Sequence, residues 1–179
     1  MNYVMRKATI DDVPVLERLI TESARILSRE DYTDAEIEAA IGTAWGVDSE
    51  LIRDGTYYVV ETGSDGIIAC GGWSRRKTLF GSDKQQGRES EVLDPRRESA
   101  RIRAFFVHPN WARRGIGRLL LQKCEDDAKA HGFQSTELVA TLTGQRLYRV
   151  FGYVGEERIA YPLPNGTTIE FIPMRKARL

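Results

Sequence analysis

The segment FFVHPNWARRGIGRLLLQKCE, residues 105–125, predicts a strand that passes through a glycine-containing turn into a helix. The dipeptide His108-Pro109 ends the strand, because proline offers no amide hydrogen to a neighbouring strand. From Gly115 to Ala130 apolar residues recur at helical spacing, and Gly132 stops the pattern. The segment therefore predicts a strand, a short turn and a helix of about four turns.

The start of this helix is a predicted anion-binding site. The first amides of a helix have no intrahelical partner and lie at the positive end of its dipole. Gly115 and Gly117 lack the Cβ that would keep an anion at a distance, and Arg113, Arg114 and Arg118 add positive charge. The turn lacks the further glycine of a dinucleotide fingerprint and the Gly-Lys-Ser/Thr of a P-loop, which excludes both nucleotide sites. The alternative is that the glycines only let the helix pack closely on a sheet.

Composition indicates one soluble domain spanning residues 1–179. Its hydrophobic fraction of 41% is ordinary for a folded chain, and 26 basic residues balance 26 acidic ones. This balance argues against nucleic acid or a membrane surface as a partner. No apolar run reaches the roughly 18 residues of a membrane helix, and no signal-peptide core stands at the N-terminus, so we expect a cytoplasmic protein. Cys70 and Cys124 are expected to be free buried thiols, and two isolated histidines predict no metal site.

The remaining periodicity predicts an α+β fold with one β-α-β passage in an otherwise antiparallel sheet. Residues 101–107 are a predicted strand on which Ile102, Ala104 and Phe106 share one face, and residues 74–98 before it are a connection without a period. The other predicted strands are 3–8, 56–62, 67–73, 137–141, 153–160 and 167–175. Three other helices are predicted. One runs from Asp11 or Asp12 to Leu27, and one spans 143–151. The third follows the Thr33–Glu36 capping box, and its apolar face includes Ile41 and Ala44.

Two motifs resemble signatures of the GNAT superfamily of acyl-CoA-dependent N-acetyltransferases. The first is Val107-His108-Pro109 followed by Arg113-Arg114-Gly115-Ile116-Gly117, and the second is the run from Tyr148 to Tyr153, YRVFGY. With the order of helices and strands, the resemblance covers most of the chain. It implies a GNAT-like fold, in which a central, mostly antiparallel, splayed mixed sheet of about six or seven strands is flanked by about four helices.

The resemblance also implies a binding site for acetyl-CoA as co-substrate, between the strand ending at Val107 and the strand ending near Thr141. Backbone groups of 105–107 would hold pantetheine, and the amides of 113–118 would hold the pyrophosphate. Tyr148 matches the residue that commonly protonates the departing CoA thiolate; the alternative is a core tyrosine. The implied cofactor-binding residues are Phe105, Phe106, Val107, Arg113, Arg114, Gly115, Ile116, Gly117 and Arg118.

The chain departs from the family pattern at three positions. Ala112 stands where Gln or Arg is usual, and Thr141 stands where Asn is often found. Arg101 occupies the strand position at which some members place a glutamate that deprotonates the amine, and arginine cannot be that base. The sequence leaves the base unassigned among Glu98, Glu137 and His108.

Arg101 and Arg103 are candidate substrate-binding residues. Two residues apart on one strand, they project from the same face, and their guanidinium groups match a carboxylate on the acceptor. The alternative is that they pair with acidic residues of the 74–98 connection or contact CoA phosphates. In similar proteins the loop between the first two helices walls the acceptor pocket, which makes Tyr32 a further candidate.

The sequence therefore predicts an N-acetyltransferase that acts on a primary amine of a small molecule, with a carboxylate on the acceptor as a finer possibility. Direct attack in a ternary complex is expected, because neither cysteine has the neighbours of a nucleophile. The alternatives are a non-catalytic module that binds or senses acyl-CoA, and a protein acetyltransferase acting on lysine or an N-terminus, which the arginine-rich strand disfavours. Whether a homodimer forms stays open.

Overall fold

The computed structural model describes residues 3–85 and 87–179, which form one seven-stranded sheet. The strands are β1 Val4–Lys7, β2 Tyr57–Thr62, β3 Gly66–Ser74, β4 Ala100–Val107, β5 Thr136–Thr141, β6 Ile159–Pro162 and β7 Thr168–Lys176. Their order is β1-β2-β3-β4-β5-β7-β6. The pair β4 and β5 is parallel and the other neighbours are antiparallel, which confirms the predicted mixed sheet.

Helices cover both faces of the sheet. They are α1 Val13–Leu27, α2 Asp34–Ala40, α3 Ser49–Arg53, α4 Ile116–Ala130 and α5 Gln145–Val150. Residues of α1, α2 and α3 share one core with Val59 and Phe171, and residues of α4 share the other with Trp73 and Ile102. Burial of each large aliphatic side chain contributes roughly 1.5–3 kcal/mol, so these two layers hold the sheet between them.

Helix α2 begins where the sequence predicts but ends earlier than predicted. The predicted capping box is present, with the Thr33 hydroxyl accepting from the Glu36 amide at 3.3 Å and the Glu36 carboxylate accepting from the Thr33 amide at 2.8 Å. The predicted helix face that included Ile41 and Ala44 is wrong, because the helix ends at Ala40. Ile41 is already extended, and Gly42 has a φ of 83°, which ends the helical run.

The strand predicted at 153–160 is displaced toward the C-terminus. Val154 makes one isolated bridge to Arg175, and regular pairing with β7 begins only at Ile159. Residues 156–158 between them are charged and exposed. Charged side chains such as these are more favourable in water than in a paired strand, so the strand begins later in the chain.

Arg6 ties β1 to the start of α1. Its guanidinium donates to both carboxylate oxygens of Asp12, at 2.7 and 2.9 Å. This hydrogen bonding lowers the pKa of Asp12 to about 2, against the opposing effect of burial. Because the folded pKa is depressed, the stabilisation is complete above about pH 4 and is lost as pH falls toward about 2.

We expect Asp12→Asn to lower the free energy of unfolding by about 1 kcal/mol near neutral pH, since solvent screens part of the pair. The difference from the parent chain should shrink toward zero near pH 2. Urea titrations at the two pH values measure it. Asp11→Asn, at an exposed neighbouring position, should change stability by no more than about 0.5 kcal/mol. A pH-independent difference would contradict the assignment.

Candidate active site

β4 and β5 are hydrogen-bonded only where they begin. Their register pairs Ala100 with Thr136 and Arg101 with Glu137, and no later pair occurs among the described residues. Beyond this point the strands separate, and residues of both line a cavity of about 230 Å³. The predicted splayed sheet is therefore confirmed.

A β-bulge in β4 shapes the wall of this cavity. Ala104 has a φ of 56°, and the register with β3 shifts between Cys70 and Gly72. The bulge reverses the alternation of side chains, so Ile102 packs with α4 while Ala104 and Phe106 pack on the opposite face. The prediction that these three residues share a face is wrong for this reason.

The cavity gathers residues from both halves of the chain. Of the predicted site residues, Arg103, Phe105, Phe106, Val107, Gly117 and Tyr148 line it. Arg103 is the one charged residue in the lining of the described chain. The remaining lining residues, which the sequence analysis did not assign to the site, are Ser23, Ala24, Leu27, Ser28, Ala44, Trp45, Gly46, Leu79, Phe80, Gly81, Ile102, Ala104, Val139, Thr141, Thr143, Gly144, Leu147 and Phe171.

Tyr148 lies on α5 at the cavity wall. Its ring packs edge-on against Phe105 and Tyr153, with centroids at 6.3 and 5.7 Å. No hydrogen bond to its hydroxyl occurs within residues 3–85 and 87–179, and burial raises its pKa above the ordinary value. The phenol therefore stays protonated over the whole physiological range and is available as a donor.

The turn before α4 presents backbone amides and arginines to solvent. Arg113 has a φ of 62° and Gly115, the N-cap, has a φ of 84°. Two left-handed residues so close together turn the chain sharply into the helix. Arg113 and Arg118 are exposed, whereas the Ile116 side chain is buried in the core, so only the backbone of Ile116 can serve a ligand.

The two arginines of β4 occupy different environments. Arg101 is half-buried and pairs with Glu137 of β5, outside the cavity lining. Arg103 lines the cavity, and its Nη2 lies 2.7 Å from Asp48 and donates to the carbonyl of Gly81 at 2.8 Å. The structure thus does not bring the two guanidinium groups together as a clamp.

Asp48 anchors the long connection between β3 and β4. The carboxylate caps α3, and Arg88 of the connection reaches Asp48 at 2.7 Å and Glu50 at 3.2 Å. Arg76 adds two hydrogen bonds to Asp54, at 2.7 and 2.8 Å. These pairs hold the connection so that Leu79, Phe80 and Gly81 form one side of the cavity.

Comparison with protein families places the chain. The model of the Acetyltransferase (GNAT) family matches residues 17–153, which include β4, the turn, α4 and α5. The chain belongs to the GNAT acetyltransferase family. The predicted family membership and fold are confirmed, and the protein is an N-acetyltransferase.

Solved structures share the fold of this acetyltransferase at low sequence identity. A GCN5-related N-acetyltransferase from Rhodopseudomonas palustris superposes with a TM-score of 0.71 and 18% identity, over 99% of this chain and 96% of that one. PaiA N-acetyltransferase from Thermoplasma acidophilum, solved in complex with coenzyme A, gives 0.66 and 15%, over 99% of both chains. YncA from Salmonella typhimurium, solved with its cofactor acetyl-CoA, gives 0.62 and 16%, over 99% and 94%. Comparison with curated protein sequences finds no match.

Tyr32 of the acetyltransferase is placed away from the cavity lining. Its hydroxyl donates to the carbonyl of Glu170 at 2.7 Å and accepts from the amide of Leu142 at 2.9 Å. Both hydrogen-bonding functions of the phenol are thereby committed to backbone at the ends of β5 and β7. The structure assigns Tyr32 a role in joining these strands rather than in contacting an acceptor.

The three candidate bases of the acetyltransferase also lie outside the lining. Glu98 accepts from the amide of Asp94, and Glu137 pairs with Arg101. Nδ1 of His108 accepts from the amide of Asn110, so the proton of the neutral ring lies on Nε2, which faces Glu22 at 3.5 Å. None of them is positioned to take a proton inside the cavity.

The described part of the acetyltransferase has neither a cluster of metal-ligating side chains nor a membrane-spanning helix. Among residues 3–85 and 87–179, no group of three or more His, Cys, Asp or Glu side chains could hold a metal ion. Within the same residues no helix has the length and apolarity to cross a membrane.

Proposed function

We propose that this acetyltransferase transfers the acetyl group of acetyl-CoA to a primary amine of a small molecule, by direct attack in a ternary complex. The observation that carries the proposal is the cavity, in which Tyr148 and the separated part of β4 lie together. Two structural neighbours named with coenzyme A or acetyl-CoA support the choice of co-substrate. At about 230 Å³ the cavity is below the roughly 300–1,000 Å³ of drug-sized ligand sites, which favours a small acceptor.

Acetyl-CoA would lie along β4 and on the turn before α4. Residues 105–107 have no strand partner on the β5 side within the described chain, so their backbone can pair with pantetheine. The pyrophosphate would bind the amides of 113–118, where the helix dipole and the exposed Arg113 and Arg118 favour an anion. Arg114, stacked 4.8 Å from the centre of the Trp111 ring, adds charge at the same end.

The burial of both cysteines supports direct attack. Cys70 and Cys124 are fully buried and lie outside the cavity lining, so neither offers a nucleophile. The amine nitrogen would form a bond to the thioester carbon, the carbon–sulfur bond would break, and Tyr148 would give its proton to the departing sulfur. The proton lost by the amine nitrogen would pass to solvent water, from which the Tyr148 phenolate regains its own. Holding both reactants in one cavity supplies roughly 7–11 kcal/mol of the barrier reduction.

Burial affects both the proton donor and the proton acceptor of this transfer. The raised pKa of Tyr148 makes it a weaker acid than an exposed phenol. A thiolate that forms in the same buried site is made more basic by the same loss of water. The weaker acidity of Tyr148 is thus offset by the stronger basicity of the thiolate, so the proton transfer stays feasible.

The acceptor would enter as the neutral amine. No described residue of the lining is a carboxylate, histidine or lysine that could remove its proton. We therefore expect kcat/KM for the acceptor to rise with pH until the pKa of its ammonium group is reached.

The test is acetyl-CoA-dependent thiol release with two pools of small amines, one of amino acids and one of purely cationic diamines and polyamines. Release with either pool supports an enzyme acting on small amines, and the active pool identifies the class. Absence of release from both, while calorimetry shows that acetyl-CoA binds, would contradict the proposal and favour a sensing module or a macromolecular acceptor.

A further inference from the structure

Arg103 lines the cavity and has hydrogen-bond donors from which no described residue accepts. Its side chain is 1% exposed, yet Nε and Nη1 have no hydrogen-bond partner among the residues that the structure describes. Buried donors without partners are costly, and a guanidinium keeps its charge at any physiological pH. The unused edge therefore favours a ligand group that accepts two parallel hydrogen bonds.

Asp48 is the acidic partner of Arg103. Asp48 lies 2.7 Å from Nη2, but its Oδ2 makes no aligned hydrogen bond, and its Oδ1 accepts from Arg88. Asp48 is thus shared between two guanidinium groups, of which Arg88 also pairs with Glu50 at 3.2 Å. Asp48 leaves the Nε–Nη1 edge of Arg103 without a hydrogen-bond partner, and a ligand carboxylate would occupy that edge.

One side of the cavity is apolar. Trp45, Phe80 and Phe171 line it together with Phe106 and Leu79. The Phe171 ring packs against Trp45 and Phe80, with centroids at 6.5 and 5.6 Å. These rings form an apolar wall suited to an aliphatic or aromatic side group.

We propose that the acceptor is an apolar amino acid whose carboxylate binds the Nε–Nη1 edge of Arg103 and whose side group packs on the wall of Trp45, Phe80 and Phe171. A planar guanidinium edge matches a carboxylate by two parallel hydrogen bonds, and burial removes the water that would weaken them. The inference rests on the proposed function, because it names the substrate class of the same site. It assigns Arg103 the selection of the acceptor, not the chemistry.

The experiment compares phenylalanine with phenylalaninamide and phenethylamine as acceptors of the native chain. Phenylalaninamide keeps the ring, and its amine is less basic than that of phenylalanine. At a given pH it is therefore less protonated, so a slower reaction of the amide cannot be caused by protonation of its amine. We expect kcat/KM, expressed on the concentration of neutral amine, to be about 10- to 100-fold higher for phenylalanine than for phenylalaninamide, the effect of hydrogen bonds to a charged group. Equal values, or a preference for the amide, would overturn the inference and leave the proposed function standing.

The variant Arg103→Lys keeps a positive charge for Asp48 and removes the planar edge. We expect the preference for phenylalanine over its amide to fall at least tenfold, mainly through KM. Arg25→Lys, at an exposed α1 position paired with Glu38, should keep the preference. A merely structural role of Arg103 would slow both acceptors equally and leave their ratio unchanged, which would also overturn the inference.

Failure of the proposed function is separable from failure of this inference. If no amine is turned over, titration calorimetry of N-acetylphenylalanine into the protein with CoA tests the anion site without catalysis. Binding that weakens at least tenfold in Arg103→Lys supports the site for the carboxylate. Absence of binding, or equal binding to both proteins, overturns it.

Discussion

Tyr148→Phe is expected to lower kcat by about 100-fold while changing the KM for acetyl-CoA by less than about threefold. Removal of a positioned general acid typically costs 10²–10⁴ in rate, about 100 being the lower end of that range. The ring stays in contact with Phe105 and Tyr153, because only the hydroxyl is lost. The cavity wall should therefore keep its shape, and the loss should fall on the chemical step.

Steady-state kinetics with the acceptor found by the pool assay measures this effect. Tyr153→Phe is the matched control, since it removes another buried hydroxyl, one bonded to Thr136 at 2.7 Å outside the cavity lining. We expect the control to keep kcat within about threefold and to lose about 1 kcal/mol of stability. Equal losses of kcat in both variants would show that Tyr148 acts through packing.

The pH dependence of kcat gives a second readout on Tyr148. Because burial raises its pKa, the hydroxyl stays protonated well beyond the ordinary range. The native chain should therefore show no fall in kcat at alkaline pH up to about 10, the ordinary pKa of an exposed tyrosine. A falling limb near pH 8 would contradict the assignment of Tyr148 as the acid.

Asp48→Ala is expected to cost about 3–5 kcal/mol of unfolding free energy. Asp48 is fully buried between Arg88 and Arg103 and also caps α3. Removing one partner of a buried ion pair leaves uncompensated charge, which is far more costly than losing a surface pair. For a chain of this length the loss corresponds to a fall in Tm of roughly 10 °C.

Thermal and urea unfolding measure this loss. Asp34→Ala, whose exposed carboxylate lies 4.0 Å from Arg29, serves as the comparison and should change stability by less than about 0.5 kcal/mol. Asp48→Asn should fall between the two, because an amide oxygen can still accept a hydrogen bond. A loss in Asp48→Ala no larger than that in Asp34→Ala would show that the connection between β3 and β4 is held by other contacts.

Local signals in the sequence predicted much of the fold. The Thr33–Glu36 capping box and the apolar spacing of α4 depend on residues within a few positions of each other, so one stretch of sequence contains the whole signal. The bulge at Ala104 has no such signal, because its positive φ is set by pairing with β3. The faces assigned along β4 beyond this residue were therefore wrong.

The environments of the candidate site residues depend on distant parts of the chain. The sequence pattern does not distinguish Arg101 from Arg103, which lie two residues apart on one strand. In the structure Arg101 pairs with Glu137 of β5, whereas Arg103 pairs with Asp48, which precedes α3. Asp48 was not among the predicted site residues, and in the structure its side chain caps α3. Tyr32 is held by backbone groups more than a hundred residues away, at Leu142 and Glu170. Such partners follow from topology and not from motif spacing.

Burial of both cysteines has a practical consequence for measurement. Cys70 and Cys124 are the two thiols of the chain, both fully buried, and burial raises the pKa of Cys70 to about 12. Only the thiolate attacks disulfide reagents, so the native protein adds no background colour to an assay of released CoA. On heating without substrates, each molecule that unfolds exposes two thiols to the same reagent. One reagent thus counts turnovers in the folded protein and, in a separate run, the number of unfolded molecules.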